Sequence, residues 1–212
     1  MTTPYYEDDL VTLYHGDCRE IAAWLDADVL VTDPPYGRNH DLTRSNINVP
    51  IAGDHDTEIR DEALALWGKK PAIVFGHWRR PRPPKIRMLA VWDKVHMALG
   101  DPTAPFATTH EEVYLIGDGA WKPGRRPTVL RFPNLLGESR PNHPTPKPLA
   151  LMETLLEIAP PGTIAEPFSG SGSTLIAAKA VGRRAIGVEL EERYCEIAAS
   201  RLAQDTLFGG AA

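Results

Sequence analysis

The stretch "TIAEPFSGSGSTLIAAKAVGRRAIGVEL" (163–190) constrains the fold of this chain more than any other. "TIAEPF" (163–168) reads as a short buried strand, "STLIAAKAVG" (173–182) as a helix closed by Gly182, and "RAIGVEL" (184–190) as a second strand. A strand, a glycine turn, a helix and another strand imply parallel pairing through a right-handed crossover. Gly170 and Gly172 permit positive φ and let a ligand approach the backbone closely, and Ser173 or Thr174 is expected to cap the helix. Glu189 follows the turn by roughly 20 residues, where a carboxylate reaches ribose hydroxyls. This much suits any adenosine-bearing cofactor, and a strand–turn–helix that binds nothing is the alternative. Leu175 stands where a dinucleotide fingerprint has its third glycine. Glu166, placed before the turn, suits a ligand with an ammonium group and repels a pyrophosphate.

The rest of the chain repeats the alternation. Strands are expected at 11–15, 28–33, 72–76, 88–94 and 111–117, and helices at 19–25, 61–67, 147–160 and 191–204. The pattern predicts an α/β, Rossmann-like, mostly parallel sheet with helices on both faces. Residues 37–60 are patternless and polar, a long loop of the kind that carries function. In such sheets ligands bind beyond the carboxyl ends of the strands, at a switch point.

"VLVTDPPYG" (29–37) places a carboxylate, two prolines and a ring at such an end. Pro34 and Pro35 fix their own φ and restrain the residues before them, which aims the carbonyls of Asp33 and Pro34. Neither proline nitrogen can donate, so the corner is rich in acceptors, and Tyr36 adds a flat face of base size. Acceptors beside a ring describe a pocket for an exocyclic amine on a stacked heterocycle. Hydrogen bonds from that amine to Asp33 and to the Pro34 carbonyl would weaken its conjugation and stabilise the charge growing on nitrogen as it attacks. A surface Pro-Pro turn with an idle acid is the competing reading.

Taken together, "GDC" (16–18), "TDPPYG" (32–37), "HPTPKP" (143–148) and "EPFSGSGST" (166–174) resemble the signature stretches of the S-adenosylmethionine-dependent DNA amino-methyltransferases, which methylate adenine at N6 or cytosine at N4. The resemblance spans nearly the whole chain. The catalytic motif precedes the cofactor motif, the permuted order of the family's beta group, as in small phage and prophage methylases. It implies catalytic roles for Asp33, Pro34, Pro35 and Tyr36. It implies cofactor contacts from Asp17 and Cys18, Asp33, Thr145, Lys147, Glu166, Phe168, Ser169, Gly170, Gly172 and Glu189. Among these, Asp17 would hold the adenine amino group, Glu189 the ribose, and Glu166 the ammonium. Asp rather than Ser at position 33 tilts the reading toward adenine. The implied activity is methyl transfer to a flipped-out adenine in DNA, in a restriction–modification setting, with S-adenosylmethionine and no metal. A cytosine-N4 enzyme, an RNA amino-methyltransferase, an idle DNA-binding protein and a nicotinamide oxidoreductase are the rivals.

Composition bounds the partners. A single 1–212 methyltransferase domain is expected: a catalytic half at 11–117, a short basic insertion at 118–142 in place of a full target-recognition segment, a cofactor half at 143–204, and a tail at 205–212. The net charge of −5 argues against blanket nucleic-acid binding, which leaves local basic stretches. Arg38, Arg79, Arg80, Lys122, Arg125 and Arg126 are the candidate nucleic-acid contacts. Two cysteines make neither a disulfide framework nor a zinc set, and the chain shows no leader or spanning segment, so a cytoplasmic protein is expected. With so short an insertion, a homodimer could supply sequence readout. "QDTLF" (204–208) resembles the peptide by which bacterial replication proteins hold the sliding clamp, through Gln204, Leu207 and Phe208.

Overall fold

The computed structural model describes residues 3–35, 56–95, 103, 105–135 and 146–208, with side chains described to Gln204. Its strands are β1 (Tyr6–Glu7), β2 (Val11–His15), β3 (Val29–Thr32), β4 (Ala72–Gly76), β5 (Ile86–Asp93), β6 (His110–Ile116), β7 (Val129–Arg131), β8 (Ile164–Glu166) and β9 (Ala185–Glu189). The helices are α1 (Glu58–Trp67), α2 (Leu149–Ile158), α3 (Ser173–Ala180) and α4 (Glu192–Phe208). Among the described residues the strands form one sheet in the order β1-β2-β9-β8-β3-β4-β6-β5-β7. It draws strands from both the 11–117 and the 143–204 segments.

Five neighbouring strands, β2, β9, β8, β3 and β4, run parallel, and β6 is inserted against β4 and β5. β3 and β4 are buried along their whole length, as their unbroken apolar sequences require of strands covered on both faces. Side chains alternate strictly between the two faces. Val29, Val31, Ile73 and Phe75 pack with α2, α3 and α4, whereas Leu30, Ala72 and Val74 pack with Trp24 and with Ala63 and Trp67 of α1. The indoles of Trp24 and Trp67 stack at 5.7 Å on that second face.

The structure departs locally from the expected elements at three places. The helix expected at 19–25 is a 3-10 turn, Ala22–Asp26. The chain between β2 and β3 must pass two intervening strands, about 14 Å at sheet spacing, and return along them, which leaves too few residues for a full helix. The loop-rich 118–134 segment contains β7, whose Val129 and Leu130 pair with Val91 and Trp92 at the sheet edge. α3 takes its N-cap from Gly172, in the left-handed region, and not from Ser173 or Thr174. Thr174 instead donates its hydroxyl to Glu166 Oε2 at 2.8 Å. Gly182, at φ +71°, follows the end of α3 as the sequence predicts.

Candidate active site

The parallel order brings the carboxyl ends of β2, β9, β8, β3 and β4 to one rim, and the chemistry-bearing residues lie along it in that sequence. Asp17 follows β2, Glu189 closes β9, the glycine turn follows β8, Asp33 follows β3 and His77 follows β4. The glycine turn and the Asp-Pro-Pro corner are therefore immediate neighbours. Their contact is direct: Thr32, the residue before Asp33, donates its hydroxyl to Glu166 Oε1 at 2.5 Å.

Backbone geometry shapes the turn. Gly170 and Gly172 have φ of +49° and +82°, and Ser169 donates its N–H to the Val188 carbonyl. A Cβ on Gly172 would stand 2.9 Å from Ala198 Cβ of α4, so both the angle and the packing require glycine. Glu189 ties this turn to its own strand end: Oε2 accepts from Gly170 N–H at 2.7 Å and Oε1 from Glu191 N–H at 2.8 Å. Burial pushes the Glu189 carboxyl up, against the pull of those backbone donors.

Three expected cofactor contacts are engaged within the protein. Asp17 is chelated by Arg19, whose guanidinium holds its carboxyl below the ordinary range. Cys18 is buried, its thiol pushed up to about 12 chiefly by desolvation, and its carbonyl accepts the Trp24 indole N–H at 2.8 Å. Glu166 is 2% exposed. Its oxygens accept from Thr32, Thr174 and the Phe168 N–H, joining β8, β3 and α3. Desolvation pushes its carboxyl up to about 8 despite those donors.

Asp33 faces a cluster that the sequence alone does not assemble. Lys147 donates its ammonium to Asp33 Oδ2 and lies 3.2 Å from Glu111 Oε2, and Lys94 donates to Glu111 Oε1 at 2.5 Å. The Lys147 ammonium also rests over the rings of Phe75 and Trp92, 4.9 and 5.7 Å from their centroids. Burial pushes the Asp33 carboxyl up, and Lys147 opposes it. Burial would lower Lys147, but Asp33 and Glu111 outweigh it and hold the ammonium charged. Asp33 Oδ1 is buried without a hydrogen-bond partner among the described residues. Alternation does not single out Glu111: it shares one face of β6 with Val113 and Leu115, but Glu112 on the other face is also buried, beside Tyr114.

The basic stretches separate. Arg79 and Arg80 follow β4 directly, on the rim that holds Asp33; Arg79 lies 4.8 Å over the Trp78 ring, and Trp78 is 49% exposed. Lys122, Arg125 and Arg126 do not join them. Lys122 N–H bonds the carbonyl of Ile158, the last residue of α2, and Arg126 pairs with Glu157 at 2.8 Å. α2 starts beside Lys147 and its ten residues carry the chain about 15 Å away, toward the opposite rim. The two candidate basic stretches therefore lie on opposite rims of the sheet. Tyr36, Arg38 and Thr145 lie outside the described residues. α4 carries Gln204, exposed, and stays helical to Phe208, with the side chains of Leu207 and Phe208 outside the described residues. Among the described residues no group of three His, Cys, Asp or Glu could hold a metal ion, and no helix is long and apolar enough to cross a membrane.

Comparison with known proteins gives a consistent result. The family described as DNA methylase matches residues 69–200. YubD of Escherichia coli (strain K12), whose name marks it as a candidate methylase, is 31% identical over 211 residues, covering 89% of this chain and 88% of its own. The type II methyltransferase M.ScaI of Streptomyces caespitosus is 26% identical over 257 residues, covering 94% and 83%. Among solved structures, the M1.HpyAVI–SAM complex superposes with a TM-score of 0.68 at 21% identity, over 91% of this chain and 99% of that one. The cytosine-N4-specific PvuII DNA methyltransferase also gives 0.68, at 14% identity, over 94% and 89%.

Proposed function

This chain belongs to the N6/N4 family of DNA amino-methyltransferases, and from that premise we propose that it transfers the methyl group of S-adenosylmethionine to the N6 amino group of adenine in DNA. The observation that carries the reading is the adjacency of the glycine turn after β8 to the Asp33–Pro34 corner after β3, bridged by the Thr32–Glu166 bond. Methyl donor and target amine would meet across that junction.

S-adenosylmethionine supplies an electrophilic methyl on a sulfonium. Gly170, Gly172 and Phe168 would line its methionine half, and Glu189 and Asp17 would lie toward its ribose and adenine. Asp17 must then exchange Arg19 for the ligand. Glu166 acts as a brace beneath the turn, since its oxygens already hold Thr32, Thr174 and Phe168. The target base leaves the duplex at a cost of a few kcal/mol, offset by stacking on Tyr36. Its amine donates to Asp33 and to the Pro34 carbonyl, which localises the nitrogen lone pair. The nitrogen–carbon bond would form as the carbon–sulfur bond breaks, its electron pair staying on sulfur. The methylated nitrogen would then release one proton to water, which restores a neutral amine. Sequencing DNA from a methylation-free host expressing the chain should reveal N6-methyladenine in a defined context. N4-methylcytosine in its place would overturn the adenine assignment, and unmodified DNA the activity.

Arg79 and Arg80, beside the exposed Trp78 on the catalytic rim, would meet the phosphate backbone. Reversing both to glutamate should weaken DNA binding and reduce its logarithmic salt slope by roughly 0.9 for each phosphate no longer neutralised. Reversing Arg125 and Arg126 should leave both unchanged. Equal losses from the two pairs, measured by salt titration of binding, would refute the assignment of the rim.

A further inference from the structure

The four charges around Asp33 balance: Lys94 and Lys147 are cations, Glu111 and ionised Asp33 are anions, and each side chain is at least four-fifths buried. They come from separate parts of the fold. Glu111 is on β6, Lys94 follows β5, Lys147 precedes α2 and Asp33 follows β3. Glu166 of β8 adds a further carboxyl within electrostatic reach of Asp33. Buried charges persist only when paired, and removing one member leaves another uncompensated. Catalysis needs little of this. An acceptor for the amine could be a backbone carbonyl, and a lone aspartate at a strand end would be solvated.

Resting on the activity proposed above, we propose that Glu111 and Lys147, backed by Lys94, are positioning residues for Asp33. They hold Oδ2, keep the carboxylate ionised in a dry site, and leave Oδ1 as the acceptor for the target amine. The geometry is specific. Lys147 spends its ammonium on Asp33 Oδ2 and the Glu111 carboxylate, the aromatic floor of Phe75 and Trp92 confines it, and Asp33 Oδ1 is buried with no hydrogen-bond partner among the described residues. Glu111 serves as the counter-charge that places Lys147, and Lys94 fixes Glu111 from its other oxygen.

The charge balance makes the signature directional. Lys147→Met leaves a surplus negative charge, so Asp33 ionises less readily. Glu111→Gln leaves a surplus positive charge, so it ionises more readily. The test is the pH profile of single-turnover methyl transfer to DNA, with saturating S-adenosylmethionine, in wild type and both variants. The acid limb should move up by roughly one pH unit or more in Lys147→Met and down by a similar amount in Glu111→Gln. Lys147→Arg should restore the wild-type limb. S-adenosylmethionine affinity, measured by calorimetry, should change less than about threefold in Glu111→Gln, as a check that the variant is folded. Limbs that stay fixed, or move in the same direction, overturn the inference while leaving the enzyme's activity standing. If Lys147→Met does not fold, a downward limb in Glu111→Gln supports the inference and an unmoved one overturns it. Wild-type protein that transfers no methyl group to DNA overturns the proposed function itself.

Discussion

Replacing Asp33 with alanine is expected to reduce methyl transfer by about 10²–10³-fold or more, the effect typical of removing one preorganised polar group from a reacting centre. An exocyclic amine is inert because its lone pair is delocalised into the ring. The corner makes it reactive only by offering fixed acceptors where positive charge develops, and Asp33 is the charged one. Alanine leaves the Pro34 carbonyl in place, so some activity should persist. Asparagine keeps an acceptor oxygen without the charge and should fall between the two. Both changes leave Lys94 and Lys147 sharing the single carboxylate of Glu111, so a lowered melting temperature is expected beside the loss of rate. Thermal melting with and without S-adenosylmethionine, run beside single-turnover assays, separates lost chemistry from lost structure. A folded Asp33→Ala protein that keeps more than a tenth of the wild-type rate would sink the mechanism.

The parts of this site that were legible in the sequence are those fixed by local backbone chemistry. Gly170, Gly172 and the prolines at 34 and 35 announce their conformations, and the apolar runs at 29–32 and 72–76 announce strands buried on both faces. Together these imply that the two motifs share one rim, and β3 beside β8 bears that out. What could not be read is what long-range pairing decides. Lys147, Glu111 and Lys94 are far apart along the chain and meet only because β6 is inserted antiparallel between β4 and β5. Nothing in "EEVYLIG" (111–117) reveals which glutamate faces Asp33 until the sheet order is known. The rim position of Arg79 and the distance of Arg125 follow from the same cause. Both stretches look equally basic in sequence, and only the direction of α2 and the end of β4 tell them apart. Thr174 misled for a different reason: a threonine at a helix start is a good cap, but here a buried carboxylate competes for its hydroxyl and wins.

Glu166→Gln is expected to stabilise the protein at alkaline pH, and the size of the gain should grow with pH. The folded carboxyl is pushed up to about 8 from an ordinary 4.5, chiefly by desolvation. Between those values the native state holds a proton that the unfolded chain has released. Stability tied to this group is therefore full below about pH 4.5 and declines as pH rises through about 8. Each unit of such a difference corresponds to about 1.4 kcal/mol, so wild type should lose on the order of 3 kcal/mol across the window, after allowing for relaxation around the ionised group. Glutamine does not titrate. Its oxygen can accept from Thr32 and the Phe168 N–H, and its amide can donate to the Thr174 hydroxyl, so the brace between β8, β3 and α3 survives. Groups beyond the electrostatic reach of Glu166 titrate identically in both proteins and cancel in the difference. Urea unfolding at pH 5, 7 and 9 should show the two curves close at pH 5 and the variant clearly more stable at pH 9. Parallel profiles would mean that Glu166 is ionised throughout. A carboxylate beneath the glycine turn would then be available to an ammonium group after all, and the neutral brace would have to be abandoned.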